Sequence, residues 1–255
     1  MPGGFVRLER RDRCAWVTLD RPPLNLIIPE VIEGLKAVFA ELREDPRVRA
    51  AVLTGSGRAM TAGMQLEFLR ELTTGQAKAF ITTLHEAIHA VHEAPFPTVC
   101  MINGPCLGGG FELAMACDMR TAATHARMGL PEIRVGVPSV IEAALLPGLI
   151  GPARAAECLF TGESITAQQA LDWGLVNRVA PAAELETVTT ELVGRIVECA
   201  PSALRLQKEL IIHWRNTDLK SAVEYGINAF AQSYATDEPR EAMQAFLDKR
   251  RPRFE

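Results

Sequence analysis

The chain has 255 residues, 48% of them hydrophobic and 23% charged, with 31 acids against 27 bases and a net charge of −4. That fits one large domain or a domain with a smaller appendage, and the acidic balance, with no basic run longer than Lys249-Arg250-Arg251, excludes a nucleic-acid footprint along a duplex. No stretch reaches 18 apolar residues, and Arg7, Glu9, Arg10, Arg11, Asp12 and Arg13 stand where a signal peptide needs an apolar segment, so the expectation is a cytoplasmic protein with no membrane contact.

In chain order, Ala15-Trp16-Val17-Thr18-Leu19 predicts a strand stopped by Pro22-Pro23. Val31, Ile32, Leu35, Val38, Phe39 and Leu42 recur at helical spacing behind Pro29, which predicts an amphipathic helix. A buried strand follows from Ala50 to Thr54, ending at Gly55-Ser56-Gly57. A helix from Ala77 to Glu93, closed by Pro95 and Pro97, leads to a strand from Thr98 to Ile102 that runs into Asn103-Gly104. This alternation predicts α/β architecture with parallel strands, and ligands then bind where strands turn into helices, in the loops after Thr54 and Ile102. Beyond Pro181 four helical stretches follow, Ala183 to Glu198, Ser202 to Trp214, Leu219 to Tyr234 and Arg240 to Lys249. The expected organisation is an α/β core over residues 1–190 and an all-helical region over 191–255.

The chemistry concentrates in Asn103-Gly104-Pro105-Cys106-Leu107-Gly108-Gly109-Gly110-Phe111-Glu112. Glycines between a strand and a helix-forming run allow close backbone approach and leave the first amides of the helix free for an anion or a developing oxyanion. Glu112 follows about one turn in, so a base flanks the same opening. Taken alone, the glycines fit close helix packing equally well, with Glu112 complementing the helix dipole. A second glycine loop, Thr54 to Leu66, and a second acid in Met128-Gly129-Leu130-Pro131-Glu132 favour the chemical reading. The cysteines, Cys14, Cys100, Cys106, Cys117, Cys158 and Cys199, lack C-x-x-C spacing and read as small buried thiols.

A competing motif is His85-Glu86-Ala87-Ile88-His89, the H-E-x-x-H spacing of zinc peptidases, with Glu112 at a tolerable distance for a third ligand. It leaves both glycine loops and Glu132 unexplained. No metal is therefore expected, and histidines on a polar helix face are the preferred reading.

Together the segments resemble the crotonase superfamily, the enoyl-CoA hydratase/isomerase family. The resemblance covers nearly the whole chain: Arg21-Pro22-Pro23-Leu24-Asn25, Met60-Thr61-Ala62-Gly63-Met64-Gln65, the Gly-Gly-Gly-x-Glu-Leu-Ala run from Gly108, Pro131-Glu132, Leu159 to Glu163, Ala170 to Val176 and Phe246 to Pro252. It implies a crotonase-like spiral of ββα units with a C-terminal helical trimerisation region. It also implies an acyl-CoA substrate whose thioester oxygen sits between the amides of Met64 and Gly109. With both acids present, the implied reaction is hydration: Glu112 takes a proton from water attacking C3 and Glu132 protonates C2, with double-bond isomerisation as the alternative. The implied substrate contacts are Leu24, Ala62, Gln65, Leu66, Gly108, Phe246 and Lys249. No separate cofactor is implied, since coenzyme A is part of the substrate, and homotrimers or pairs of trimers are expected.

Three departures from the family pattern stand out. Gln65 replaces the usual Asp. Gly136-Val137-Pro138-Ser139-Val140-Ile141-Glu142 replaces a glycine-rich run, leaving open whether Glu142 adds a third carboxylate. Pro23 lies where a basic residue is common, so the CoA phosphates fall to Arg21, Arg58 or a neighbouring subunit's tail.

Overall fold

A computed structural model describes residues 4–254. The chain opens with a hairpin of β1 (Val6–Arg11) and β2 (Cys14–Leu19), paired antiparallel from Val6↔Leu19 to Arg11↔Cys14, with Asp12 in the turn at φ 52°. The sequence pattern predicts only β2. The charges on β1 mask it, and it forms the outer edge of the sheet, where charged side chains face water.

Helix α1 (Pro29–Glu44) buries Val31, Ile32, Leu35, Val38, Phe39 and Leu42, the predicted stripe, with Pro29 in its first turn. Strand β3 (Ala50–Gly55) is buried along its length. A short helix α2 (Leu66–Leu69) precedes α3 (Thr74–His92). Helix α3 starts three residues before the expected Ala77 because Thr73 and Gln76 form a reciprocal capping box, which carries the helix through Gly75.

Next come β4 (Thr98–Ile102), β5 (Cys106–Leu107), α4 (Gly109–Ala116), β6 (Met119–Ala123) and β7 (Arg127–Gly129). After α5 (Leu146–Ile150) and α6 (Pro152–Thr161), the chain adds β8 (Ile165–Thr166), α7 (Ala167–Asp172) and β9 (Arg178–Ala180). The main sheet has the order β1-β2-β3-β4-β6-β9 and is parallel from β2 onward, while β5-β7-β8 form a second, smaller sheet.

The two sheets are stacked by a repeated path. After β3 the chain reaches Thr61, which bridges Cys106 of β5; after β4 it forms β5; after β6 it forms β7, which pairs β5 in parallel. Each turn thus leaves one strand in the main sheet and one short segment in the second layer before a helix begins. This is the expected crotonase spiral of ββα units. Its parallel strands are covered on both faces, so they read as unbroken apolar runs.

Four helices close the chain: α8 (Leu185–Val197), α9 (Pro201–Arg215), α10 (Leu219–Ser233) and α11 (Glu238–Leu247), within a few residues of the predicted stretches. Asp218 caps α10, accepting from the amides of Lys220 and Ser221. A buried bond between the hydroxyls of Thr121 and Thr189 ties α8 to β6, and Lys208 of α9 reaches Asp118 at the foot of β6. All six cysteines are free, and all but Cys199 are buried. Among the described residues no helix is long and apolar enough to cross a membrane.

Candidate active site

The site forms where β3 and β4 run out. Thr61 N donates to Pro105 O at 3.1 Å and Leu107 N to Thr61 O at 3.0 Å, so the two glycine loops lie side by side. On the other flank Ala62 N donates to Leu24 O at 2.9 Å, and Ile27 N and Gln65 N bond across to Gly63 O and Ile27 O. Leu24, Ala62, Met64, Gln65 and Gly108, expected together, do converge. The device that holds them is one the sequence reading missed: fully buried Asn25, at φ 50°, donates from Nδ2 to Ser56 O and Ala59 O and accepts the Arg21 amide on Oδ1.

Two amides remain free at this junction. Among the described residues neither Met64 N nor Gly109 N donates to a protein acceptor, although Gln65 N, Phe111 N and Glu112 N all do. A Cβ added at Gly109 would stand 3.7 Å from Met64 Cγ, so the two residues face each other closely. Gly108 turns the chain into α4 at φ 57°, a conformation that favours glycine, and a Cβ there would come within 2.6 Å of Glu132 Oε1.

Both acids are buried, Glu112 at 2% exposure and Glu132 at 6%. Glu112 sits in the first turn of α4, a helix whose every residue is buried, and its Oε1 accepts the Ala143 amide at 3.0 Å. Burial pushes the Glu112 carboxyl up to about 7; the Ala143 amide opposes this, and the nearby charges of Glu132 and Glu142 add to it. Glu132 lies in the 3-10 turn Pro131–Val135, and its Oε2 accepts from the Ser139 hydroxyl at 2.7 Å. The arrangement is a pair of acceptor carboxyls beside two preorganised donors, which suits proton transfer at a carbon next to a polarised carbonyl.

The altered 136–142 segment and the residue that follows it contribute directly. Ser139 holds Glu132, Ala143 holds Glu112, and Glu142 is itself buried beside them, with Oε1 2.7 Å from His85 Nδ1. Burial raises the Glu142 carboxyl, against the stabilising contact with His85. Gln65, in place of the usual Asp, accepts from Arg21 at 3.1 Å. Leu66 is half exposed and lines an open cavity of about 310 Å³ with Leu69, Val135 and Val137.

Two of the H-E-x-x-H residues are engaged in other contacts, while the His85 and His89 rings lie 5.5 Å apart. His85 bonds Glu142, Glu86 pairs with Lys36 at 2.8 Å, and His92 bonds the Ala116 carbonyl. Among the described residues no three His, Cys, Asp or Glu side chains cluster as a metal site. Phe246 stands exposed in the last turn of α11 and Lys249 just beyond it, and among the described residues neither makes a hydrogen bond or ion pair to the glycine loops.

A family model described as enoyl-CoA hydratase/isomerase matches residues 9–255. The chain belongs to the enoyl-CoA hydratase/isomerase family. Relatives in that family include a short-chain-enoyl-CoA hydratase of Clostridium acetobutylicum, 33% identical over 96% of this chain and 95% of its own length. A crotonyl-CoA hydratase of Syntrophomonas wolfei is also 33% identical, over 98% of this chain and 97% of its own. Among solved structures, an enoyl-CoA hydratase from Bacillus anthracis superposes with a TM-score of 0.95 at 30% identity, covering 98% of this chain and 99% of that one. Pseudomonas aeruginosa DspI superposes at 0.96 with 29% identity, over 99% of this chain and 97% of that one. Family membership implies an acyl-CoA thioester as the substrate class.

Proposed function

We propose that the protein is an enoyl-CoA hydratase that adds water across the 2,3-double bond of an acyl-CoA thioester. The observation that carries this reading is the meeting of two buried carboxyls, Glu112 and Glu132, beside the free amides of Met64 and Gly109. The amides donate to the thioester oxygen and stabilise the enolate that forms when C3 is attacked; one such donor contributes about 3 kcal/mol to lowering the barrier. Glu112 draws a proton from water as its oxygen bonds C3, and Glu132 delivers a proton to C2 as the enolate collapses back to the thioester. Water's O–H and the carbon–carbon π bond break, and new C3–O and C2–H bonds form. The protons are balanced when the two acids exchange theirs between turnovers.

The substrate's nucleotide end falls to Arg21, exposed Arg58 and, from a neighbouring subunit, Phe246 and Lys249. This requires assembly, for which we favour a homotrimer or a pair of trimers. The 191–255 region supports that role: Leu219, Val223, Ile227 and Phe230 form one exposed apolar stripe on α10.

The test is crotonyl-CoA turnover, followed by loss of the conjugated-thioester absorbance. Glu112→Gln and Glu132→Gln should each lower kcat by about 10²–10⁴-fold with KM little changed. Wild-type rates in both variants would overturn the assignment. Double-bond migration without net addition of water would replace it with isomerisation.

A further inference from the structure

The 136–142 segment carries an acid that hydration by two glutamates leaves unused. Glu142 opens the 3-10 turn Glu142–Leu145, is 9% exposed, and immediately precedes Ala143, whose amide holds Glu112. Its Oε1 lies 2.7 Å from His85 Nδ1, while Oε2 has no hydrogen-bond partner among the described residues. A buried carboxyl with a single partner is costly to keep in place, so that bond adds to the hold on the turn from the Ala143 amide to Glu112 and the packing on α4. With Glu142 ionised, its carboxylate only accepts, and the bond is then donated from His85 Nδ1. His85 is itself about half exposed, at 47%, and reaches inward from α3 across 57 residues of chain. Helix α4 packs against both α3 and this turn. The contacts therefore run from His85 to Glu142, through the adjoining peptide to the Ala143 amide, and on to Glu112.

We infer that Glu142 and His85 form a positioning pair, in which the histidine anchors the turn that presents the Ala143 amide to Glu112. The inference rests on the reading of Glu112 as the base. Glu142 is faced by His85 and His89 from α3 and by Glu112 from α4, and Glu112 is faced in turn by Glu132. The pair acts on Glu112 in two opposed ways. The amide it presents favours the ionised carboxylate, and the charge on Glu142 disfavours it. Substitutions separate the two.

In the full-length protein turning over crotonyl-CoA, His85→Ala removes the anchor, and kcat falls about tenfold while KM stays within about twofold. His85→Asn, whose amide nitrogen can stand near the position of Nδ1, restores most of that loss. Glu142→Gln still accepts from His85 but carries no charge, so the acidic limb of the kcat profile moves to lower pH. A second readout needs no turnover: the ¹³C carboxyl resonance of Glu112, assigned by its disappearance in Glu112→Gln, titrates at lower pH in Glu142→Gln than in the wild type. A fully active His85→Ala, a His85→Asn no better than His85→Ala, or an unmoved Glu112 resonance in Glu142→Gln overturns the pair. A wild-type protein that fails to hydrate, with the Glu112 resonance still shifted by Glu142→Gln, refutes the hydratase reading and supports the pair.

Discussion

The Ala143 amide donates to Glu112 Oε1 at 3.0 Å across 31 residues of chain, from a turn that bears a second buried acid to a helix that bears the first. That single bond is the main influence keeping the Glu112 carboxyl from rising above about 7, since burial and two neighbouring carboxyls all push it upward. A general base works only when ionised. Turnover should therefore climb as pH rises through about 7, giving an acidic limb well above the ordinary glutamate range. Initial rates on crotonyl-CoA between about pH 5 and pH 9 check this. A profile flat down to about pH 5 would remove Glu112 as the base.

Ser139 donates to Glu132 Oε2 at 2.7 Å, while Oε1 points toward Gly108. In the proposed mechanism the hydroxyl steadies the carboxyl that delivers a proton to C2, and leaving such a buried acceptor without its partner costs about 1–3 kcal/mol. Ser139→Ala should lower kcat about tenfold or more, with a smaller effect on KM. Ser139→Thr keeps the donor and should retain more of the rate. Steady-state kinetics on the two variants decide it, and equal losses in both would mean that the hydroxyl is not what matters.

The same burial that tunes Glu112 makes it a liability to stability at high pH. In the unfolded chain the carboxyl loses its proton near 4.5, whereas in the fold it holds the proton up to about 7. The folded state thus binds more protons over that window, and its stability falls as pH rises from 4.5 to about 7. The loss is on the order of 3 kcal/mol. Glu112→Gln keeps an acceptor for the Ala143 amide without the charge. Its melting temperature should match the wild type near pH 4.5 and exceed it by several degrees above about pH 7.5. Thermal melts across that range test this, and a constant gap between the two proteins would contradict it.

The helices and central strands were legible because their apolar spacing matches what they bury. The stripe from Val31 to Leu42 and the unbroken runs of β3 and β4 each face a single environment. Strand β1 was not legible, because an edge strand carrying Arg7, Glu9, Arg10 and Arg11 has no apolar alternation to read. In the site, Glu112 and the glycines announce themselves by local spacing. Ser139 and Ala143 do not, and Glu142 and His85 stand out only as an extra acid and as half of a metal-like spacing, since what joins all four is contacts over 7 to 57 residues that only the fold creates. Asn25 hides for the same reason: a lone Asn after Pro-Pro-Leu reads as turn chemistry, yet its side chain fastens two loops together. The H-E-x-x-H spacing is legible locally, yet its His85 and Glu86 turn to partners that only the fold supplies, Glu142 and Lys36.

Lys208 and Asp118 bind α9 to the core through an ion pair that water barely reaches. Lys208 Nζ lies 2.7 and 2.8 Å from the two Asp118 oxygens, with the lysine side chain 1% exposed and the aspartate 11%. Asp118 also accepts from the Thr98 amide and hydroxyl, at 2.7 and 3.1 Å, so its carboxylate is the node joining β4, β6 and α9. Lys208→Met preserves most of the packing but strands a buried negative charge, and removing one partner of a buried pair costs about 3–5 kcal/mol. The two Thr98 donors remain, so the lower end of that range is expected. Asp118→Asn in the same chain removes the stranded charge and should recover part of the loss. Urea unfolding of the single and double variants measures both effects, and a Lys208→Met loss below about 1 kcal/mol would mean that the helix is held by packing alone.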